Sequence, residues 1–104
     1  MATIEITSDN FESTIEQGGI VLIDWWAPWC GPCRTFGPTF EAASEQHEDI
    51  TFGKVDTEAE QALSASAGIR SIPTLLVFKG GVIAGQIVGF RPKSDLQKRL
   101  DAVL

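Results

Sequence analysis

The 104-residue chain has no tyrosine, one histidine, one methionine and only two cysteines. Two cysteines are too few for a disulfide-stapled scaffold, and both fall in one motif, so no third thiol remains for regulation. Zinc needs four ligands, and a cysteine pair plus the single His47 cannot supply them. Basic residues are also scarce, with 8 Lys and Arg against 14 Asp and Glu, for a net charge of −6. The few that exist are scattered along the chain. Such a surface repels phosphate backbones and anionic lipid, which argues against nucleic-acid and membrane binding. No long hydrophobic run is present. The longest, Ile20 to Ala27, is far too short to span a bilayer and is interrupted by Asp24. The start, Met1-Ala2-Thr3-Ile4-Glu5, lacks the basic and apolar regions of a secretory leader. With no repeat, linker or low-complexity stretch, the expectation is one cytoplasmic domain over residues 1–104 that acts as a monomer.

What is present centres on Trp29-Cys30-Gly31-Pro32-Cys33, which joins an apolar run to a helical pattern. Two cysteines at this spacing can close a small ring by disulfide formation and reopen it. Cys30 precedes the expected helix, where unpaired backbone N–H groups and the positive dipole end stabilise a thiolate. Cys33, one turn inside, is in reach of Cys30 but expected to be more shielded. Pro32 suits a first helical turn, because its missing N–H costs nothing there. A bridge this short constrains little chain, so chemistry is a better use for it than stability. His47 lies roughly 21 Å along the helix from Cys33, too far to share a metal with the pair or act as its base.

The order of elements frames this motif. Thr3 to Ile6 alternates like a strand, and Ser8 or Asp9 is expected to cap a helix carrying Phe11 and Ile15 and ending at Gly18-Gly19. Ile20 to Trp26 reads as a central strand covered on both faces. Phe36, Phe40 and Ala43 continue a helical stripe from Cys33, with Pro38 inside it as a kink. Thr51 to Asp56 is a further strand, and Thr57-Glu58-Ala59-Glu60 has the capping-box pattern of a helix closed by Gly68. Thr74 to Phe78 and Val82 to Val88 form a hairpin through Gly80-Gly81, with a bulge expected at Gly85. Ser94 opens a last helix with Leu96, Leu100 and Val103 on one stripe. The order βαβαβαββα predicts an α/β fold: a mixed five-stranded sheet flanked by four helices.

Asp24 is the odd residue of the apolar strand. Buried among Leu22, Ile23, Trp25 and Trp26, it would have a raised pKa and could take the Cys33 proton. At an exposed strand end it would instead hydrogen-bond to loop backbone. Residues alone leave both readings open. The acidic residues Glu41, Glu45, Glu48, Asp49, Glu58 and Glu60 fall on expected helix surfaces and loop ends, where solvation or capping explains them.

Asp24-Trp25-Trp26-Ala27-Pro28-Trp29-Cys30-Gly31-Pro32-Cys33 resembles the active-site segment of the thioredoxin family. Gly68-Ile69-Arg70-Ser71-Ile72-Pro73-Thr74 resembles its proline loop, and Val88-Gly89 its glycine beside the active site. The likeness extends over the whole chain and implies the thioredoxin fold. It also implies that Cys30 is the nucleophile, Cys33 the resolving thiol and Asp24 the buried proton acceptor, tuned by Lys54. Pro73 would be cis, and Trp29, Gly31, Pro32, Ile72, Pro73 and Gly89 would line a shallow groove for extended substrate. Trp25 stands where phenylalanine is usual, Arg34 replaces a more frequent lysine, and Phe90 puts a ring beside the groove.

The resemblance implies a general protein disulfide reductase, a thiol-disulfide oxidoreductase that carries electrons for cell redox homeostasis. Its Gly-Pro dipeptide resembles thioredoxins, whereas disulfide isomerases usually show Gly-His; a histidine there makes the disulfide more oxidising. No cofactor need bind the chain beyond its redox-active disulfide. Its partners would be oxidised protein substrates and a thioredoxin reductase, in the family an NADPH-dependent flavoprotein. A docking module that uses the groove without redox turnover is the competing function.

Overall fold

The computed structural model describes residues 2–89 and, beyond them, Asp95, Lys98, Arg99, Asp101 and Ala102. Strand β1 (Thr3–Glu5) leads through α1 (Phe11–Glu16) to β2 (Ile20–Trp26). Helix α2 (Gly31–Gln46) follows, then β3 (Thr51–Asp56), α3 (Gln61–Ser66) and the hairpin β4 (Thr74–Lys79) and β5 (Val82–Val88). The five strands form one sheet in the order β1-β3-β2-β4-β5. β3 pairs parallel with β1 and β2, while β4 runs antiparallel to β2 and β5, which is the expected mixed sheet. The fourth predicted helix falls largely outside the described residues. Its five described members are helical, and Arg99 pairs with Asp95 at 3.0 Å.

β2 is central because its whole run can be covered. Val21, Ile23 and Trp25 pack with Ile6, Val55, Leu76 and Phe78 beneath α1 and α3, which add Phe11, Ile15 and Leu63. Leu22, on the opposite face, packs with Phe52, Leu75 and Val77 against Phe36, Phe40 and Ala43 of α2. Each large side chain wholly withdrawn from water, such as Phe40, contributes about 1.5–3 kcal/mol. Pro38 lies inside α2 without ending it, because Phe36 and Phe40 on either side anchor the helix to the sheet.

Two local expectations need correcting. α1 is not capped by Ser8 or Asp9. Residues 7–10 form a turn in which Asn10 accepts from the Thr7 N–H at 2.7 Å, and the helix begins only at Phe11. The capping box at Thr57 to Glu60 does not form either. The Thr57 hydroxyl donates to the Trp26 carbonyl at 2.9 Å, and Glu60 accepts from the Ser8 N–H at 3.0 Å. Asp56 captures the Glu58 and Ala59 N–H groups, so α3 starts at Gln61. The bulge that Gly85 suggested is present: Val77 pairs with Gly85 and Phe78 with Ile83, which leaves Ala84 as the extra residue. The Gly80-Gly81 turn has φ of 61° and 83°, the left-handed pair that a tight two-residue hairpin requires.

Candidate redox site

Cys30 is the N-cap of α2, with Gly31 and Pro32 opening the helix. Cys30 and Cys33 are joined as a disulfide, their Cα atoms 5.2 Å apart. The Cys33 N–H donates to Cys30 Sγ at 3.2 Å, so an unpaired donor of the helix end is aimed at the sulfur that must carry charge once reduced. Cys30 Sγ also lies 3.9 Å from the Ile72 carbonyl, an acceptor for the thiol of the reduced form. The expected contrast in shielding is slight in this oxidised state, since Cys30 is 5% and Cys33 3% exposed. Both pack with Ala27, against which Trp26 and Ile72 lie.

Trp29, 67% exposed, and Pro32 stand at the surface, while Gly31, Ile72 and Gly89 are half-buried. Pro73 is buried, and the Ile72–Pro73 bond is cis. The Gly89 N–H donates to the Pro73 carbonyl at 2.8 Å, tying the end of β5 to the proline loop. Ile72 therefore reaches the cysteines directly, and Gly89 reaches them through the loop. Phe90 lies outside the described residues.

Asp24 is 1% exposed, and both its carboxyl oxygens are buried without a hydrogen-bond partner. That removes the reading of an exposed, loop-bonded strand end. Its place in β2, two residues from Leu22, directs it to the face covered by α2. Burial pushes its pKa from 3.8 up to about 7, against the opposing pull of the Lys54 ammonium. Lys54 is the register partner of Asp24 in β3, and its Nζ lies 5.0 Å from the centre of the Trp26 ring. His47 caps the far end of α2, stacked on Phe52.

Two supports escaped the sequence reading. Arg34 Nη1 donates to the Pro28 carbonyl at 2.9 Å, clamping the loop before the motif to the helix after it. The Trp26 carbonyl receives both the Thr57 N–H, at 2.8 Å, and the Thr57 hydroxyl, which pins the end of β2. Arg34 was visible only as a charge, and Thr57 only as a helix-cap candidate. Among the described residues no group of three or more His, Cys, Asp or Glu is placed to hold a metal ion.

A cysteine pair at a helix N-terminus beside a cis-proline loop, with a buried carboxyl on the sheet face that this helix covers, defines a thiol-disulfide oxidoreductase. The Thioredoxin family model matches residues 2–102. The chain is 41% identical to a thioredoxin of Alicyclobacillus acidocaldarius, over 99% of each chain. It is 39% identical to a thioredoxin of Staphylococcus aureus, over 97% of each. A solved thioredoxin of Plasmodium falciparum superposes with a TM-score of 0.91, at 29% identity, over 98% of this chain and 99% of that one. The chain belongs to the thioredoxin family, and it is a protein disulfide reductase whose redox-active group is the Cys30–Cys33 disulfide.

Proposed function

We propose that Cys30 and Cys33 act in sequence and that Asp24 handles the proton between them. In the reduced protein the Cys30 thiolate attacks one sulfur of a target disulfide. A mixed disulfide forms, and the other target sulfur leaves as a thiolate. Cys33 then gives its proton to the Asp24 carboxylate and attacks Cys30 Sγ. The Cys30–Cys33 bond forms and the second target thiolate departs, so the target gains two electrons and the chain loses them. A carboxyl that titrates near 7 can take and return that proton around neutral pH, and Lys54 keeps it from rising further. Trp29, Gly31, Pro32, Ile72, Pro73 and Gly89 form the shallow surface that receives an extended stretch of target. The chain works as a single-domain cytoplasmic monomer, recycled by an NADPH-dependent flavoprotein thioredoxin reductase, as family membership supports. No helix among the described residues is long and apolar enough to cross a membrane.

The observation that carries the reading is the 3.2 Å bond from the Cys33 N–H to Cys30 Sγ, which supports Cys30 as the stabilised thiolate. The test is trapping. Cys33→Ser should accumulate a mixed disulfide through Cys30, seen by mass spectrometry, and Cys30→Ser should trap nothing. Full activity in the doubly serine-substituted chain would instead support docking without redox turnover.

A further inference from the structure

We infer that Trp26 is a positioning residue for the proton step: its ring holds the Lys54 ammonium beside Asp24 and so sets how readily that carboxyl takes up the thiol proton. The inference deepens the reading of Asp24 as proton acceptor and rests on it. Asp24 and Trp26 are two apart in β2 and so lie on one face of the sheet. Lys54 enters that face from β3 as the register partner of Asp24. Its ammonium sits 5.0 Å from the Trp26 ring centre, in range for attraction to the ring's negative face. The same indole packs against the cluster of Ala27, Cys30 and Cys33, so one side chain borders the redox site and carries the cation.

The ammonium has other places to go. A cavity of about 520 Å³ beside it is also lined by Glu5 of β1, Glu41 of α2 and Asp56 of β3. Glu41 is engaged by the Thr3 hydroxyl, and Asp56 by two backbone N–H groups. On the other flank Asp24 faces Leu75 of β4, which carries no charge, and its face of the sheet is the one α2 covers. Without the ring, the ammonium would be released toward the three acids of the cavity and away from Asp24. Burial would then act on the carboxyl with less opposition. Asp24 would hold its proton to higher pH and give it back less readily.

The direction of the effect separates positioning from shielding. A ring that merely kept water out would, on removal, hydrate Asp24 and lower its titration midpoint. The experiment follows the Asp24 carboxyl by ¹³C NMR in the oxidised full-length chain, where the cysteines do not titrate. Trp26→Leu should raise the midpoint by about half a pH unit, and Trp26→Phe, which keeps a weaker ring, by less. Lys54→Met should raise it too, and adding Trp26→Leu or Trp26→Phe to Lys54→Met should raise it no further. A lowered or unchanged midpoint in both Trp26 variants, or a rise that persists without Lys54, overturns the inference. Should Trp26→Leu fail to fold, the comparison of Trp26→Phe with and without Lys54 decides alone. Because the midpoint is read without turnover, it stays independent of whether Asp24 serves the reaction, which the rate of mixed-disulfide resolution in Asp24→Asn tests.

Discussion

The two faces of β2 carry side chains from one seven-residue strand, yet they are built for different purposes. Beneath α1 and α3, Val21, Ile23 and Trp25 meet aliphatic and aromatic partners, with Phe11 edge-on to both Trp25 and Phe78. Beneath α2, Leu22 does the same work, but Asp24 interrupts it with a buried carboxyl that has no hydrogen-bond partner. The first face is governed by packing, with the Trp25 indole N–H buried there without an acceptor. The second holds a destabilising buried carboxyl under the helix that carries the cysteines, and the cost is explained only by chemistry.

Replacing the charge should erase the difference, with the largest effect on stability. Asp24 titrates near 7 when folded and near 3.8 ordinarily, so the folded state holds the proton more tightly. Its contribution to stability is complete below about pH 4 and lost as pH rises through about 7. Asp24→Asn should therefore stabilise the oxidised protein at pH 8 by on the order of 4 kcal/mol and give little gain at pH 4. Urea unfolding at the two pH values checks this, and equal gains would contradict it. The same variant should slow release of target from the mixed disulfide.

On the opposite face, steric fit decides. A Cβ on Gly53 would stand 2.6 Å from Ile6 Cγ1, and Ile6 is itself 1% exposed with nowhere to retreat. Gly53→Ala should cost about 1–3 kcal/mol in the same unfolding assay, with little change in reductase rate per folded molecule. Thr57→Val, which removes the hydroxyl bond to the end of β2 but keeps the backbone bond, should cost about 1 kcal/mol. The smallest effect is expected at Trp25, whose buried indole N–H has no acceptor. Trp25→Phe loses ring area but relieves that orphan, so calorimetry should find stability within about 1 kcal/mol of the parent. A loss above about 3 kcal/mol would show that the indole fills a need phenylalanine cannot.

Legibility in the sequence followed the same division. β2 and β3 were readable to the residue, because buried apolar runs leave little choice of boundary. Cys30 as the N-cap of α2 followed from Pro32 and the stripe at Cys33, Phe36 and Phe40. The burial of Asp24 was open on the residues alone, since they cannot show which end of a strand is covered, and only the family resemblance implied it. Short helices were read worst. At Asn10 and Thr57 the polar side chains satisfy partners brought close only by the fold, such as the Trp26 carbonyl 31 residues away from Thr57. The Trp26–Lys54 contact was hidden for the same reason: it depends on the β2–β3 register and not on spacing.

The most direct test of the whole account is the equilibrium reduction potential of the Cys30–Cys33 pair, titrated in thiol buffers and followed by the fluorescence of Trp26 and Trp29. A disulfide reductase requires a value more negative than the glutathione pool. The prediction is a value near about −270 mV, the figure general to thioredoxins and not set by this geometry. A value near about −180 mV or above, the range of isomerases and oxidases, would contradict it.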